Sequence, residues 1–100
     1  GGGGPQGEEL RFFRRFMFER IYPNPVKGLL KIRFNSPDER KVMIKIYDVV
    51  GRLIEKVFDG RARIGLNEFY IRPEDFSAGV YFVRLTAGDY KKTEKVVLIK

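Results

Sequence analysis

Gly79-Val80-Tyr81-Phe82-Val83-Arg84-Leu85-Thr86-Ala87-Gly88-Asp89-Tyr90-Lys91-Lys92-Thr93-Glu94-Lys95-Val96-Val97-Leu98-Ile99-Lys100 is the stretch that decides the fold. Val80 to Thr86 is β-branched and aromatic, the composition of a strand that packs on a pleated surface. Ala87-Gly88-Asp89 is a short loop, and Gly88 can take the positive φ of a tight hairpin. Tyr90 to Ile99 returns as a second strand. An isolated hairpin is marginal in water, so further strands must cover it. The strongly apolar run Val96-Val97-Leu98-Ile99 stands last, followed by Lys100 alone.

Working back from the hairpin, the same period of two recurs. Leu30, Ile32 and Phe34 alternate with Lys31 and Arg33, as in a half-buried strand. Val42, Ile44 and Ile46 alternate with Met43, Lys45 and Tyr47. Ser36-Pro37-Asp38-Glu39 imitates a helix capping box, yet the period after it is that of a strand, so a turn is expected. Asp48-Val49-Val50-Gly51-Arg52 turns the chain, with Gly51 as the positive-φ residue. Leu53 to Phe58 is the partner strand, and Asp59-Gly60 ends it. The basic connection from Arg61 to Ile64 has no readable path. Gly65 opens a strand from Leu66 to Ile71. Arg72-Pro73-Glu74-Asp75-Phe76-Ser77 has the proline and acids of a short helical turn, with Phe76 plugging the end of the core.

The amino-terminal segment reads two ways. Leu10, Phe13, Met17 and Ile21 fit a helical face, whereas Phe16, Phe18 and Tyr22 fit a strand. Pro23 disfavours a helix running into Tyr22. A first strand near Phe16–Ile21 is the expectation, with residues 1–15 a tag or linker remnant and 16–100 the domain. Tyr22-Pro23-Asn24-Pro25 is a stiff turn in which two fixed φ angles bracket an asparagine.

Seven strands separated by turn signals, with no convincing helix, imply an all-β, immunoglobulin-like β-sandwich of about seven antiparallel strands. A small barrel would leave a similar pattern. Lys31, Lys45, Lys91 and Lys92 are expected to guard its open edges.

Composition limits the chemistry. With no cysteine and no histidine, Cys–His nucleophiles, imidazole acid–base catalysis and the usual zinc ligand sets are excluded. Ser36 and Ser77 are the only serines. The acids at Asp38, Glu39, Asp48, Asp59, Glu74, Asp75 and Asp89 match no calcium-loop spacing, and isolated glycines make no phosphate cradle. No catalytic residue, cofactor or metal is expected. The net charge of +7 invites a polyanion; a solvated, edge-protecting lysine surface explains it as well. Tyr47, Tyr70, Tyr81 and Phe82 could stack bases, but alternating strand aromatics are more often core or cross-strand pairs, and no nucleic-acid partner is expected. A terminal strand such as Val96–Ile99 is physically apt for β-augmentation.

Four segments coincide in order with a known family. Tyr22-Pro23-Asn24-Pro25, Ile46-Tyr47-Asp48-Val49-Val50-Gly51-Arg52, Ser77-Ala78-Gly79-Val80-Tyr81-Phe82-Val83-Arg84-Leu85 and Lys95-Val96-Val97-Leu98-Ile99-Lys100 together resemble a C-terminal sorting domain of the type IX (Por) secretion system, type A. The resemblance covers Tyr22 to Lys100. Flagellar hook-cap immunoglobulin-like modules share the central pattern. One departure stands out: many members carry a Trp-Asp or Thr-Trp pair before the Gly-Val-Tyr strand, where this chain has Phe69-Tyr70-Ile71.

The resemblance implies a non-catalytic export tag on a larger upstream passenger. It implies recognition in the periplasm, passage through the outer-membrane translocon, and removal by a sortase-like peptidase that joins the cargo to an anionic lipopolysaccharide. The final location would be the cell surface or the medium. The family's recognition residues map onto Gly79, Val80 and Tyr81 and onto Lys95, Val96, Val97, Leu98, Ile99 and Lys100. The domain-start motif maps onto Tyr22, Pro23, Asn24 and Pro25. A structural or adhesive immunoglobulin-like module and a polyanion-binding β module are the competing expectations.

Overall fold

Alternation of apolar and polar residues builds two sheets whose inner faces are almost wholly aliphatic and aromatic. The computed structural model describes residues 15–19, 21 and 23–100. Seven strands run along the described chain: β1 (Met17–Phe18), β2 (Leu30–Ser36), β3 (Lys41–Tyr47), β4 (Leu53–Arg61), β5 (Gly65–Ile71), β6 (Gly79–Ala87) and β7 (Tyr90–Leu98). They form a three-stranded sheet in the order β1-β2-β5 and a four-stranded sheet in the order β4-β3-β6-β7. All strand pairs are antiparallel. In an immunoglobulin constant domain the fourth strand lies beside the fifth. Here β4 pairs with β3 instead, so the strand has switched sheets within the same sandwich. A barrel is excluded, because the sheets do not join.

The inward residues are the ones the period predicts. Leu30, Ile32 and Phe34 of β2, Val42, Ile44 and Ile46 of β3, and Tyr81, Val83 and Leu85 of β6 are all buried. Each fully buried side chain of this size is worth about 1.5–3 kcal/mol. Aromatic contacts tie the sheets together at their margins, with Phe58 of β4 4.6 Å from Phe69 of β5 and Phe16 4.7 Å from Tyr90 of β7, centroid to centroid.

Several local expectations are met. Gly51 and Gly88 have φ of 87° and 62°. The Ser36–Glu39 segment is a turn, with the Ser36 hydroxyl donating to the Asp38 carbonyl at 2.7 Å. Other expectations need correction. The closing loop is two residues long, because Ala87 and Tyr90 already pair; positive φ at the first loop residue alone is the type II′ pattern. Asp59 and Gly60 do not end β4, which runs on to Arg61 with register shifts opposite Ile44/Lys45 and Ile46/Tyr47. Arg72–Ser77 forms a turn rather than a helical one, and Phe76 packs against Tyr81 at 5.4 Å. Lys31 and Lys45 sit on the interior strands β2 and β3 and guard no edge, whereas Lys91 and Lys92 lie on the edge strand β7. Among the described residues of the expected first strand, Met17–Phe18 alone forms one. Leu10, Phe13 and Tyr22 lie outside the described residues.

The unreadable connection after β4 is held by one asparagine. The Arg63 amide donates to Asn67 Oδ1 at 3.0 Å, and Asn67 Nδ2 donates to the Arg63 and Gly65 carbonyls at 2.9 and 3.2 Å. Asn67 is buried, and this full set of partners offsets its desolvation.

Candidate functional site

β3 ends, and β4, β6 and β2 begin, at one end of the sandwich, where β7 also finishes. This follows from the register: Tyr47 lies opposite Phe82, Gly79 opposite Leu98 and Leu30 opposite Ile71. The segments that carried the family resemblance therefore meet there. The Asp48–Arg52 turn, the Ser77–Tyr81 strand start, the Asn24–Val26 segment and the end of β7 are neighbours in space although spread over some three-quarters of the sequence. The chain enters at the opposite end, where Met17 pairs with Asn35. A seven-residue strand such as β2 separates the two ends by about 20–25 Å.

Gly79, Val80 and Tyr81 and the terminal strand form one continuous strip. Gly79 pairs with Leu98, Val80 with Val97 and Tyr81 with Val96. Antiparallel pairing puts opposed residues on the same face, so each face of the strip mixes residues of both segments. On the inner face Tyr81, Val96 and Leu98 are buried. The Tyr81 hydroxyl donates to the Ser77 carbonyl at 2.7 Å, which fixes the loop before β6. Lys95, Ile99 and Lys100 are exposed. Lys100 Nζ donates to the Glu74 carbonyl at 3.0 Å.

The outer edge of β7 is occupied. The Val26 amide donates to the Val97 carbonyl at 2.7 Å, and the Ile99 amide to the Val26 carbonyl at 2.9 Å, making a short parallel bridge between Val26 and Leu98. Asn24 completes it with its side chain. Asn24 Nδ2 donates to the Lys95 carbonyl at 3.1 Å, while Asn24 Oδ1 accepts the Val97 amide at 3.1 Å. Pro23, Asn24 and Pro25 are exposed, whereas Val26 is wholly buried. The peptide between Asn24 and Pro25 is cis.

The Asp48 turn is built around one carboxylate. Its Oδ1 accepts the Val50 and Arg52 amides at 3.0 and 2.9 Å, and its Oδ2 meets Arg52 Nε at 2.8 Å. The Arg52 amide, above all, holds the Asp48 carboxyl below its ordinary value, aided by the guanidinium and the Val50 amide. Val49 and Val50 are left projecting, 66% and 71% exposed. A groove of about 380 Å³ separates this turn from Asp75, Phe76 and the start of β6. A smaller hollow of about 220 Å³ lies beside Ile99, with an apolar floor of Pro73 and Leu98 and a rim bearing Lys27, Arg72 and Lys100.

Other residues singled out from sequence have local work. Asp38 chelates Arg40, with Nε at 2.7 Å and Nη2 at 2.9 Å, and that pairing lowers its carboxyl. Asp59 faces Lys41 and Lys56 at 3.8 and 3.6 Å. Tyr70 donates to Glu68 and lies under Lys31, while Tyr47 lies under Arg84. Sequence reasoning found both partners of the strip but missed Asn24 as its clamp. A contact across seventy-one residues leaves no periodic trace, and the proline bracket showed only that the asparagine is held stiffly.

Residues 20–100 match the model of the family described as "Secretion system C-terminal sorting domain". No curated protein matches the chain. The match takes in every strand from β2 to β7 and the whole of the strip, and the chain belongs to the secretion system C-terminal sorting domain family, whose members serve as sorting signals for type IX secretion.

Proposed function

We propose that this domain is a type A sorting signal read through the strip formed by Gly79–Tyr81 and Lys95–Lys100. It directs an upstream passenger across the outer membrane to the cell surface or the medium. The observation that carries the reading is the cross-strand pairing of Gly79 with Leu98, Val80 with Val97 and Tyr81 with Val96. Two segments of the family pattern thereby form a single surface, at the end of the sandwich away from where the chain enters. A translocon component is the first partner, and a sortase-like peptidase acting upstream of Tyr22 is the second. An anionic lipopolysaccharide, as the acceptor of the released cargo, suits the basic surface of the domain.

The domain's own part is binding and presentation. The buried face of the strip holds it rigid, and rigid presentation lowers the ordering cost of association. The experiment is to fuse the full chain to a periplasm-directed reporter in a bacterium with a type IX system. The reporter is expected at the surface or in the medium, and in the periplasm when the translocon is deleted. Retention in the periplasm of the intact host, beside normal export of a known sorting domain, would overturn the proposal. It would favour a structural or adhesive module instead.

A further inference from the structure

A short segment of the chain docks on the outer edge of β7: Asn24 through its side chain and Val26 through a one-residue bridge. Four hydrogen bonds hold it, and all four end on backbone groups of Lys95, Val97 and Ile99. Those groups are the ones a partner strand would use, because alternate residues of an edge strand turn their amides and carbonyls outward. We propose that the outer edge of Lys95–Ile99 is the surface where an extended strand of the export machinery pairs, and that Asn24–Val26 covers it as a displaceable cis occupant; this rests on the sorting role proposed above.

Three features suit the segment to leaving. It is short, with Val26 its only buried side chain among residues 23–29. Its downstream link, Lys27-Gly28-Leu29, is exposed, and Gly28 sits at φ 89° with nothing within 4 Å of the position a Cβ would take. That link can swing without drawing on β2, which begins at Leu30. Finally, two of the four bonds come from one exposed side chain, Asn24, rather than from a backbone ladder. The cover mimics a strand while making less than one. An incoming strand that continues the full ladder replaces all four bonds and adds more along β7, so exchange is favourable once the cover lifts.

A covered site binds with an affinity reduced by the fraction of time it is open. Loosening the cover should therefore tighten binding, whereas a partner that touches Asn24 directly would bind the loosened variant more weakly. The probes are outer-membrane vesicles from a bacterium with a type IX system, with vesicles from a translocon-deleted strain as background. The ligand is the full chain carrying a fluorophore. In Asn24→Ala, amide exchange at Val97 should quicken by about tenfold or more, with the core amides of Ile44 and Val83 unchanged. The variant should bind the vesicles about tenfold more tightly than the parent chain. Asn24→Asp, which keeps the acceptor for Val97 and loses the donor to Lys95, should fall between. Unchanged exchange at Val97, or a parent chain that binds while Asn24→Ala binds equally or more weakly, overturns the cover. Failure of the parent chain itself to bind above background overturns the sorting role on which the cover depends.

Discussion

Single side chains at the turns decide how the strands are joined, and two of them can be tested alone. Asp48 accepts three hydrogen bonds within five residues, and its carboxyl is held below the ordinary value of 3.8. A carboxyl lowered in the native state adds stability above its unfolded value and loses it as the pH falls through the lowered native value. Melting temperature should therefore fall between about pH 5 and about pH 2, and Asp48→Asn should lessen that fall. Asp38, lowered by its pairing with Arg40, and Glu68, lowered by the Tyr70 hydroxyl, contribute in the same direction. A pH profile identical in Asp48→Asn and the parent would show that the turn carboxylate is energetically idle. Asn67 is the second case. Asn67→Ala leaves the Arg63 amide and two carbonyls without their partner, at a cost of about 2–3 kcal/mol. Urea unfolding should report it as a lower midpoint with the slope unchanged.

Under the proposed function the terminal strand has two jobs, divided between its faces. Val96 and Leu98 are 1% and 3% exposed and belong to the core, while Lys95, Ile99 and Lys100 face outward. Deleting Lys95–Lys100 therefore confounds folding with sorting, since it strips β6 of half its partner strand. Point substitutions separate them. Leu98→Ala should cost about 2–5 kcal/mol of stability and depress export through the loss of folded domain. Lys95→Glu combined with Lys100→Glu should leave the unfolding free energy within about 0.5 kcal/mol of the parent's and still reduce export of the reporter. Normal export of that stable double variant would remove the outward face of the strip from the recognition surface.

This division was half legible in the sequence. The period of two in Leu30–Phe34, Val42–Tyr47 and Val80–Thr86 names the inward residues, because burial of one face is the only force that imposes it. The even run Val96-Val97-Leu98-Ile99 has no such alternation, so its faces emerge only from its pairing with β6. The edges were illegible for a related reason. Lys31 and Lys45 alternate as edge lysines would, but strand order is set by long-range pairing that local pattern does not encode, and both prove to be interior.

At the scale of the whole molecule, the domain is polar in plan: the chain enters at one end and the four motif segments gather at the other. Its boundary is where sequence pattern and packing diverge. The family match begins at residue 20 and the start motif at Tyr22, yet Phe16, Phe18 and Ile21 are buried in the same core as β2 and β7. Phe16 stacks on Phe34 at 5.3 Å, and the Phe18 amide donates to the Tyr90 hydroxyl at 3.1 Å. These residues close the margin of the three-stranded sheet against β7, the strand that also carries the proposed signal. A motif search cannot see them, since any bulky apolar side chain fills the gap and no fixed spacing is required. A chain starting at Tyr22 loses three buried side chains, on the order of 5 kcal/mol, against a total stability of about 5–15 kcal/mol for a domain of this size. It should unfold at a markedly lower urea concentration than the full chain, and Phe16→Ala with Phe18→Ala in the full chain should reproduce most of the loss. Equal midpoints for the full chain and the chain starting at Tyr22 would mean that β1 only leans on a sandwich already complete at the motif. If the shorter chain is the weaker, the sorting domain includes part of what precedes its motif, and the cleavage proposed above would leave the released domain folded only if it falls upstream of Phe16.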